Sequence, residues 1–447
     1  MLRTIFVCLI MLVGACYALQ GPFYALLFYL WYAYFRPEGW LWNPWDEILT
    51  SFRVSDKIGT YLVVLTLFAG YRFPLNFALV VQGAFLVHCG VSALAADFPD
   101  YCWLYFKDFF RVSIIAYFIV VLTTDARRLR LLLTIACLSI GFEGAKQGWV
   151  QLIANPGGRN DNIVPFLGDN NGVAVGMLML APMLFALGQA AKAKKWRWMF
   201  RFLGVGTVYR ALTTYSRGGF LAAGALAVVY WFRSKRKVPV LFGTLAAAII
   251  VLPVMPTEFW ERMGTIQTAR ETEDASALGR LHYWTVGVRM AREHPVFGVG
   301  FNGYNPSYNL YDFTEGQYGE QRSVHSIWFG VLSETGVIGL LLYVALIALC
   351  WRNLLLVRRA TLANAEKRDL FPFGLALEAA LVVFLVGGTF LPLQYNEMFF
   401  HFLALTSAVR RVAEAPVETA TAPATTPLVP QAEAVSAGIN AESAAPR

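Results

Sequence analysis

Long apolar runs, almost free of charge, recur along this chain from residue 4 to residue 409. Nothing else in the sequence restricts the fold so tightly. Runs of this length are membrane-spanning helices. With 57% hydrophobic and only 15% charged residues, the chain cannot cover the surface of a soluble protein of 447 residues. The expected fold is therefore all-α and polytopic. Candidate spans are 4–19, 22–36, 57–71, 74–95, 108–123, 130–153, 168–190, 200–215, 217–232, 238–254, 324–350, 370–390 and 397–409. Several are short, so the expectation is about 12 spans.

The net charge of +8 is concentrated in four short stretches, "DARRLR", "KAKKWRWMFR", "RSKRK" and "WRNLLLVRR". That is a topology signal, not a nucleic-acid-binding face. All four are expected to be cytoplasmic loops. Residues 255–323, with six Lys/Arg against nine Asp/Glu, are expected to form one large outward loop containing helices. The expected organisation is N-terminal membrane helices over 1–254, the loop over 255–323, C-terminal membrane helices over 324–410, and a disordered cytoplasmic tail over 412–447. Counting spans back puts the N-terminus outside, unless the first two runs form one broken element. The first run is read as retained, because only Arg3 precedes it and no A-x-A site follows. The six cysteines form no CxxC pair and suggest neither a disulfide framework nor a zinc site.

Four polar clusters interrupt the apolar runs. In "ALTTYSRGGFLAAGAL", Arg217 precedes Gly218 and Gly219, and Arg210 stands seven residues earlier. A continuous helix would put both arginines on one face, where two guanidiniums suit a pyrophosphate. The alternatives are an Arg217 that snorkels to the interface and an Arg210 paired with a carboxylate. Glu143 and Lys146, three residues apart, can form a site or neutralise each other. The following loop, "NPGGRNDNIVPFLGDNNGVAVGM", contains Asn170 and Asn171 and suits a polar cavity floor or a turn. In the large loop, residues 276–293 read as an amphipathic helix with Arg280 at its start. The "GVGFNG" after it is weak evidence for a nucleotide, because no strand is expected before it and no helix after it. His325 sits where the loop re-enters the membrane and can exchange a proton near neutral pH.

Taken in order, "TYSRGGFLA", "GRLHYWTVGVRMAREHPVFGVGFNGY" and "VHSIWFGVLSETGVIGLLLY" resemble the three signature blocks of the bacterial O-antigen ligase and O-antigen polymerase superfamily, over about residues 165–410. The N-terminal half, with "YLWYAYFRPEGW" and "GDNNG", is similar to a branch described as O-glycosylation ligases of exosortase systems. The resemblance implies a metal-independent glycosyltransferase of the GT-C type in the bacterial inner membrane, with its active site facing the periplasm. It implies a donor glycan on undecaprenyl pyrophosphate and an acceptor hydroxyl of lipid A-core, glycan or protein. No cofactor and no nucleic-acid partner are expected. The family's essential residues carry over to Arg217, Arg280 and His325. Arg210, Lys146, Glu143, Asn170 and Asn171 are expected as further substrate-binding residues. Three rival readings remain: a polymerase with the same chemistry, a transferase using Asp46 and Glu47 of "NPWDEIL", and a transporter of lipid-linked glycan.

Overall fold

A computed structural model describes residues 2–41, 43–71, 74, 76–268 and 275–416. Most of the expected tail lies outside the described residues. Residues 1–414 form one compact unit. Seventeen α-helices and no β-strand occur among the described residues. The first nine are α1 (Leu2–Ala18), α2 (Pro22–Phe35), α3 (Trp45–Ser51), α4 (Val54–Phe68), α5 (Phe77–Leu94), α6 (Pro99–Leu122), α7 (Ala126–Ala154), α8 (Asn170–Ala190) and α9 (Lys194–Leu212). Then follow α10 (Arg217–Arg233), α11 (Lys237–Val251), α12 (Thr257–Thr268), α13 (Ala275–Glu293), α14 (Tyr304–Tyr311), α15 (Ile327–Ala363), α16 (Phe371–Gly388) and α17 (Glu397–Glu414).

Among the described residues, five segments are long and apolar enough to cross a membrane by length and composition: α5, α8, Lys237–Val254, α15 and Ala365–Gly388. The fold is an all-α polytopic membrane protein. Other helices pack by close backbone approach. A Cβ on Gly148 of α7 would lie 2.0 Å from the carbonyl oxygen of Gly206 on α9, so only glycine permits that contact.

The long helices alternate in direction, which sorts their connections into two ends. One end gathers residues 155–169, 213–216, 255–326 and 389–396. The opposite end gathers the basic stretches, and there Arg411 donates to the Val121 carbonyl at 3.0 Å. The basic stretches lie partly in helix ends and partly in connections: residues 234–236 of "RSKRK" join α10 to α11, whereas most of the other three is helical. "RRLR" opens α7, where the Asp125 side chain caps the amides of Arg127 and Arg128 at 2.9 Å. "WRNLLLVRR" extends α15 to Ala363, beyond the span end expected at 350. A long basic side chain can extend its charge past the apolar zone while its backbone stays helical.

Helix α15 is broken at Gly336, where φ is 68° and ψ is −171°. The break strands backbone groups that a regular helix would satisfy. Residues 294–301 repair it. The Val299 amide donates to the Ser333 carbonyl at 2.9 Å, and the Val337 amide to the Pro295 carbonyl at 2.9 Å. From α5, His88 Nε2 donates to the Thr335 carbonyl at 2.7 Å. Ser92 Oγ lies 2.8 Å from the Glu334 carbonyl and 2.7 Å from that of Phe297. This strap explains "GVGFNG" without a nucleotide, although a helix, α14, does follow the motif where none was expected. A Cβ on Gly298 would meet Ser333 O at 2.4 Å, and one on Gly300 would meet Ala96 Cβ at 2.2 Å. The glycines allow the large loop to wedge into the bundle, which fixes the end of α13 against α15.

Candidate active site

Two of the sequence blocks open helices in the same local manner. Tyr215 adopts a left-handed φ of 56°, Ser216 is the N-cap, and Arg217 is the first residue of α10. His325 adopts a left-handed φ of 48°, Ser326 is the N-cap, and Ile327 starts α15. Such backbone is uncommon for residues with a Cβ and points to a functional constraint where it clusters. The two caps differ. Ser216 Oγ accepts from the Gly219 amide at 3.2 Å and donates to Asn171 Oδ1 at 2.8 Å. Ser326 Oγ and His325 Nδ1 are buried and make no hydrogen bond.

The Ser216–Asn171 bond joins the start of α10 to the start of α8. Asp169 caps α8 by accepting from the Gly172 amide at 2.8 Å. A Cβ on Gly219 would lie 2.6 Å from Ala174 Cβ, so the two helices touch. Asn170 turns the other way and donates to Asp161, whose carboxylate also holds Arg159 at 2.9 Å. Two helix N-termini, each with positive dipole character, thus lie side by side.

The end of α16 forms the common wall. A Cβ on Gly218 would lie 3.8 Å from both the Gly387 oxygen and Phe390 Cβ. One on Gly388 would lie 3.0 Å from Ile327 Cγ2. Trp328 Nε1 donates to Thr389 Oγ1 at 3.0 Å. Trp284 of α13 stacks on Phe329, with ring centroids 5.2 Å apart, and its centroid is 6.4 Å from that of Phe390. Arg280 lies one helical turn before Trp284, and the neighbouring Tyr283 ring is 6.1 Å from the His325 ring. The starts of α10 and α15 and the face of α13 therefore meet at residues 387–390. Arg217, Arg280 and His325 are each partly buried there.

Helix α13 is also fastened from below. His282, two residues after Arg280, lies 2.8 Å from Asp312, and their side chains are only 5% and 6% exposed. Burial alone would raise the Asp312 pKa, but hydrogen bonds from Thr314, Gly316 and His282 hold it below its usual value. The pKa of His325 is pushed below 6.5, first by burial and then by Arg280, with Arg322 adding to the effect. Asp169 acts in the opposite sense. Its influence on His325 brings the start of α8 within electrostatic range of the imidazole. Asp169, Arg322 and Ser326 are not singled out by the sequence; only the folded arrangement brings Asp169 to the histidine, whereas Arg322 is already three residues from it. Ser326 left a weak signal as a serine just before an apolar helix.

The remaining expected site residues lie elsewhere. Arg210 is fully buried; its Nε donates to Gln147 Oε1 at 2.8 Å and its Nη2 to the Asn162 carbonyl at 2.7 Å. Gln147 in turn donates to Glu143 at 3.2 Å, Glu143 pairs with Lys146 at 2.7 Å, and Lys146 lies 5.8 Å over the Trp40 ring. The ladder ties α7 to the end of α9. The single-face geometry expected for Arg210 and Arg217 does not hold, because α9 stops at Leu212 and the chain turns before α10. Among the described residues, no cluster of His, Cys, Asp or Glu is suited to a metal ion.

This is a helical membrane protein with a cationic, histidine-bearing site where several helix starts converge. Residues 202–344, which include Arg217, Arg280 and His325, match the family model described as O-antigen ligase. Over that stretch, about a third of its length, the chain is similar to the O-antigen ligase superfamily, and the match supports an O-antigen ligase-like function in general. Residues 1–187 match a family of unknown function (DUF5935). No curated protein matches the chain.

Proposed function

We propose that the protein transfers a glycan from a polyprenyl pyrophosphate, undecaprenyl pyrophosphate in bacteria, to an acceptor hydroxyl. The convergence of Arg217, Arg280 and His325 on the end of α16 carries this reading. The acceptor oxygen attacks the anomeric carbon, and the bond from that carbon to the pyrophosphate oxygen breaks. Polyprenyl pyrophosphate leaves with the bonding electrons, and His325 takes the hydroxyl proton. The lowered pKa keeps His325 neutral, and so able to act as a base, at pH 7. Arg217 and Arg280 stabilise the charge that develops on the leaving pyrophosphate, assisted by the amides that open α8 and α10. This electrophilic role falls to guanidiniums, so the scheme needs no metal.

The site lies at the end of the bundle opposite the basic helix ends. By the positive-inside rule that end faces the periplasm of a bacterium, with the chain in the inner membrane. Residues 255–323 are then the periplasmic loop between the two sets of membrane helices. A polymerase would use the same residues and differ in its acceptor, a second lipid-linked glycan.

The test is transfer by His325→Ala in membranes supplied with lipid-linked glycan. The expected result is a loss of about 10²- to 10⁴-fold, the usual contribution of a positioned base, with normal protein level and insertion. Transfer at the wild-type rate would refute the assignment. In cells lacking the gene, accumulated polymer on lipid would indicate a ligase, and single repeat units a polymerase.

A further inference from the structure

The loop that ends at the Arg217–His325 site leads, seven residues past Phe390, to Glu397 at the start of α17. Glu397 lines a second cavity, of about 520 Å³. The chain between them can span at most roughly 25 Å. The cavity therefore lies within reach of an extended substrate whose other end is at the reaction centre. Its walls are α2, α4 and α6, within residues 1–187 and outside the O-antigen ligase match.

The two long walls share one pattern. Along α4 the lining residues are Asp56, Gly59, Thr60 and Val63, which follow one helix face. Along α6 they include Asp108, Arg111, Val112 and Ile115, with the same spacing. Asp56 and Arg111 meet across the cleft at 3.1 Å, so the charged ends of both faces are level. From there both faces turn apolar with depth. The cleft is amphiphilic, with a polar mouth at the site end and an apolar floor between helices.

The mouth also has a sign. Arg36 and Arg111 face Glu38, Asp56, Asp108 and Glu397. Arg111 is already held by Asp56 and by Asp108 at 3.0 Å, and Arg36 lies 5.7 Å over the Phe166 ring. Glu38 Oε2 and Glu397 Oε1 are buried and accept no hydrogen bond, His401 Nδ1 standing off at 4.0 Å from the latter. Carboxylate oxygens left this way call for a donor. A phosphate offers only acceptors and negative charge, and would be repelled. Saccharide hydroxyls donate, and an apolar tail would fill the floor by Val63 and Ile115.

We propose that this cleft binds the acceptor, an amphiphile whose head group is an uncharged, hydroxyl-rich saccharide without phosphate. The acceptor role rests on the proposed glycosyl transfer; the binding chemistry does not. The head group lies against the carboxylates, its tail lies between α4 and α6, and its reacting hydroxyl extends past residues 390–396 toward His325.

The full chain in lipid nanodiscs tests this with two photoreactive probes of equal alkyl length. One is an alkyl maltoside and the other a lysophosphatidylglycerol. The maltoside should label the peptides containing Val63 and Val112–Ile115 at least fivefold more than the phosphate-headed probe. Glu397→Gln and Asp108→Asn should each reduce that labelling severalfold while melting as the wild type does. Val63→Trp, which fills the floor, should abolish it. Equal or stronger labelling by the phosphate-headed probe, or labelling indifferent to all three variants, would overturn the proposal. Labelling needs no turnover, so it stands or falls separately from the His325→Ala result. In transfer assays with a neutral glycolipid acceptor, Glu397→Gln should raise the acceptor KM and leave kcat unchanged. Maltoside labelling with an unchanged acceptor KM would eliminate the acceptor role alone.

Discussion

Arg210 and Arg217 are the same residue type, seven positions apart, in opposite electrostatic settings. Arg210 stands in the last turn of α9, where the helix dipole favours a cation. It is fully buried, and two of its nitrogens donate to Gln147 and Asn162. Arg217 is the first residue of α10, a helix with no acidic residue in its first turn. A cation there opposes the dipole at a cost of about 0.3–1 kcal/mol. Arg210 follows the dipole rule, although its buried Nη1 has no hydrogen-bond partner among the described residues, and Arg217 breaks that rule. Among helix N-termini, an arriving pyrophosphate would be favoured both by the guanidinium and by the positive dipole ends of α8 and α10.

The sharpest way to break this comparison is to keep both charges and remove the fork. Arg217→Lys retains the cation but loses bidentate geometry. Transfer should fall by about 10²- to 10³-fold, since one prepositioned donor contributes about 3–4 kcal/mol. The melting temperature should stay at the wild-type value. Near-normal kcat in this variant would mean that Arg217 supplies only diffuse positive charge.

Arg210→Met should behave in the opposite way. It orphans Gln147 Oε1 and the Asn162 carbonyl, at about 1–3 kcal/mol each. Thermal unfolding in detergent should shift down and less folded protein should accumulate. Turnover per folded molecule should stay within a few-fold of the wild type. A variant that melts normally but fails to transfer would move Arg210 into the site and erase the distinction.

How much of this was legible in the sequence follows from how local each feature is. The loop helix expected over 276–293 is found at Ala275–Glu293, because amphipathic spacing and Pro295 are local signals. A break between α9 and α10 was legible too, but it lies at residues 213–216, and Arg217-Gly218-Gly219 opens α10 instead of making the turn. The break in α15 was not. "SETGVIG" reads as ordinary helix, and its repair comes from His88, Ser92 and Val299, distant in sequence. Arg210 was unreadable for the same reason, as its partners lie 63 and 48 residues away. The three blocks could be matched in order, but their meeting at Gly387–Phe390 depends on α16, which carries no polar motif to notice.

The smallest expected effect concerns the acidic limb of the pH–rate profile. His325 must be neutral to accept a proton, so the rate rises with pH through its pKa and levels off above it. That pKa lies below 6.5, through burial and then through Arg280 and Arg322, against Asp169. Arg322→Gln removes a positive charge near the imidazole and makes protonation easier. The His325 pKa rises, so the acidic limb should move to higher pH with little change on the plateau. Asp169→Asn keeps an N-cap oxygen for α8 but removes the negative charge. It should move the limb the other way, to lower pH. Opposed shifts would identify His325 as the titrating base, because neither substitution alters the imidazole or Arg217. If both variants kept the wild-type limb, the titrating group would be another residue, and the contrast between a structural and a working cation would rest on Arg217 alone.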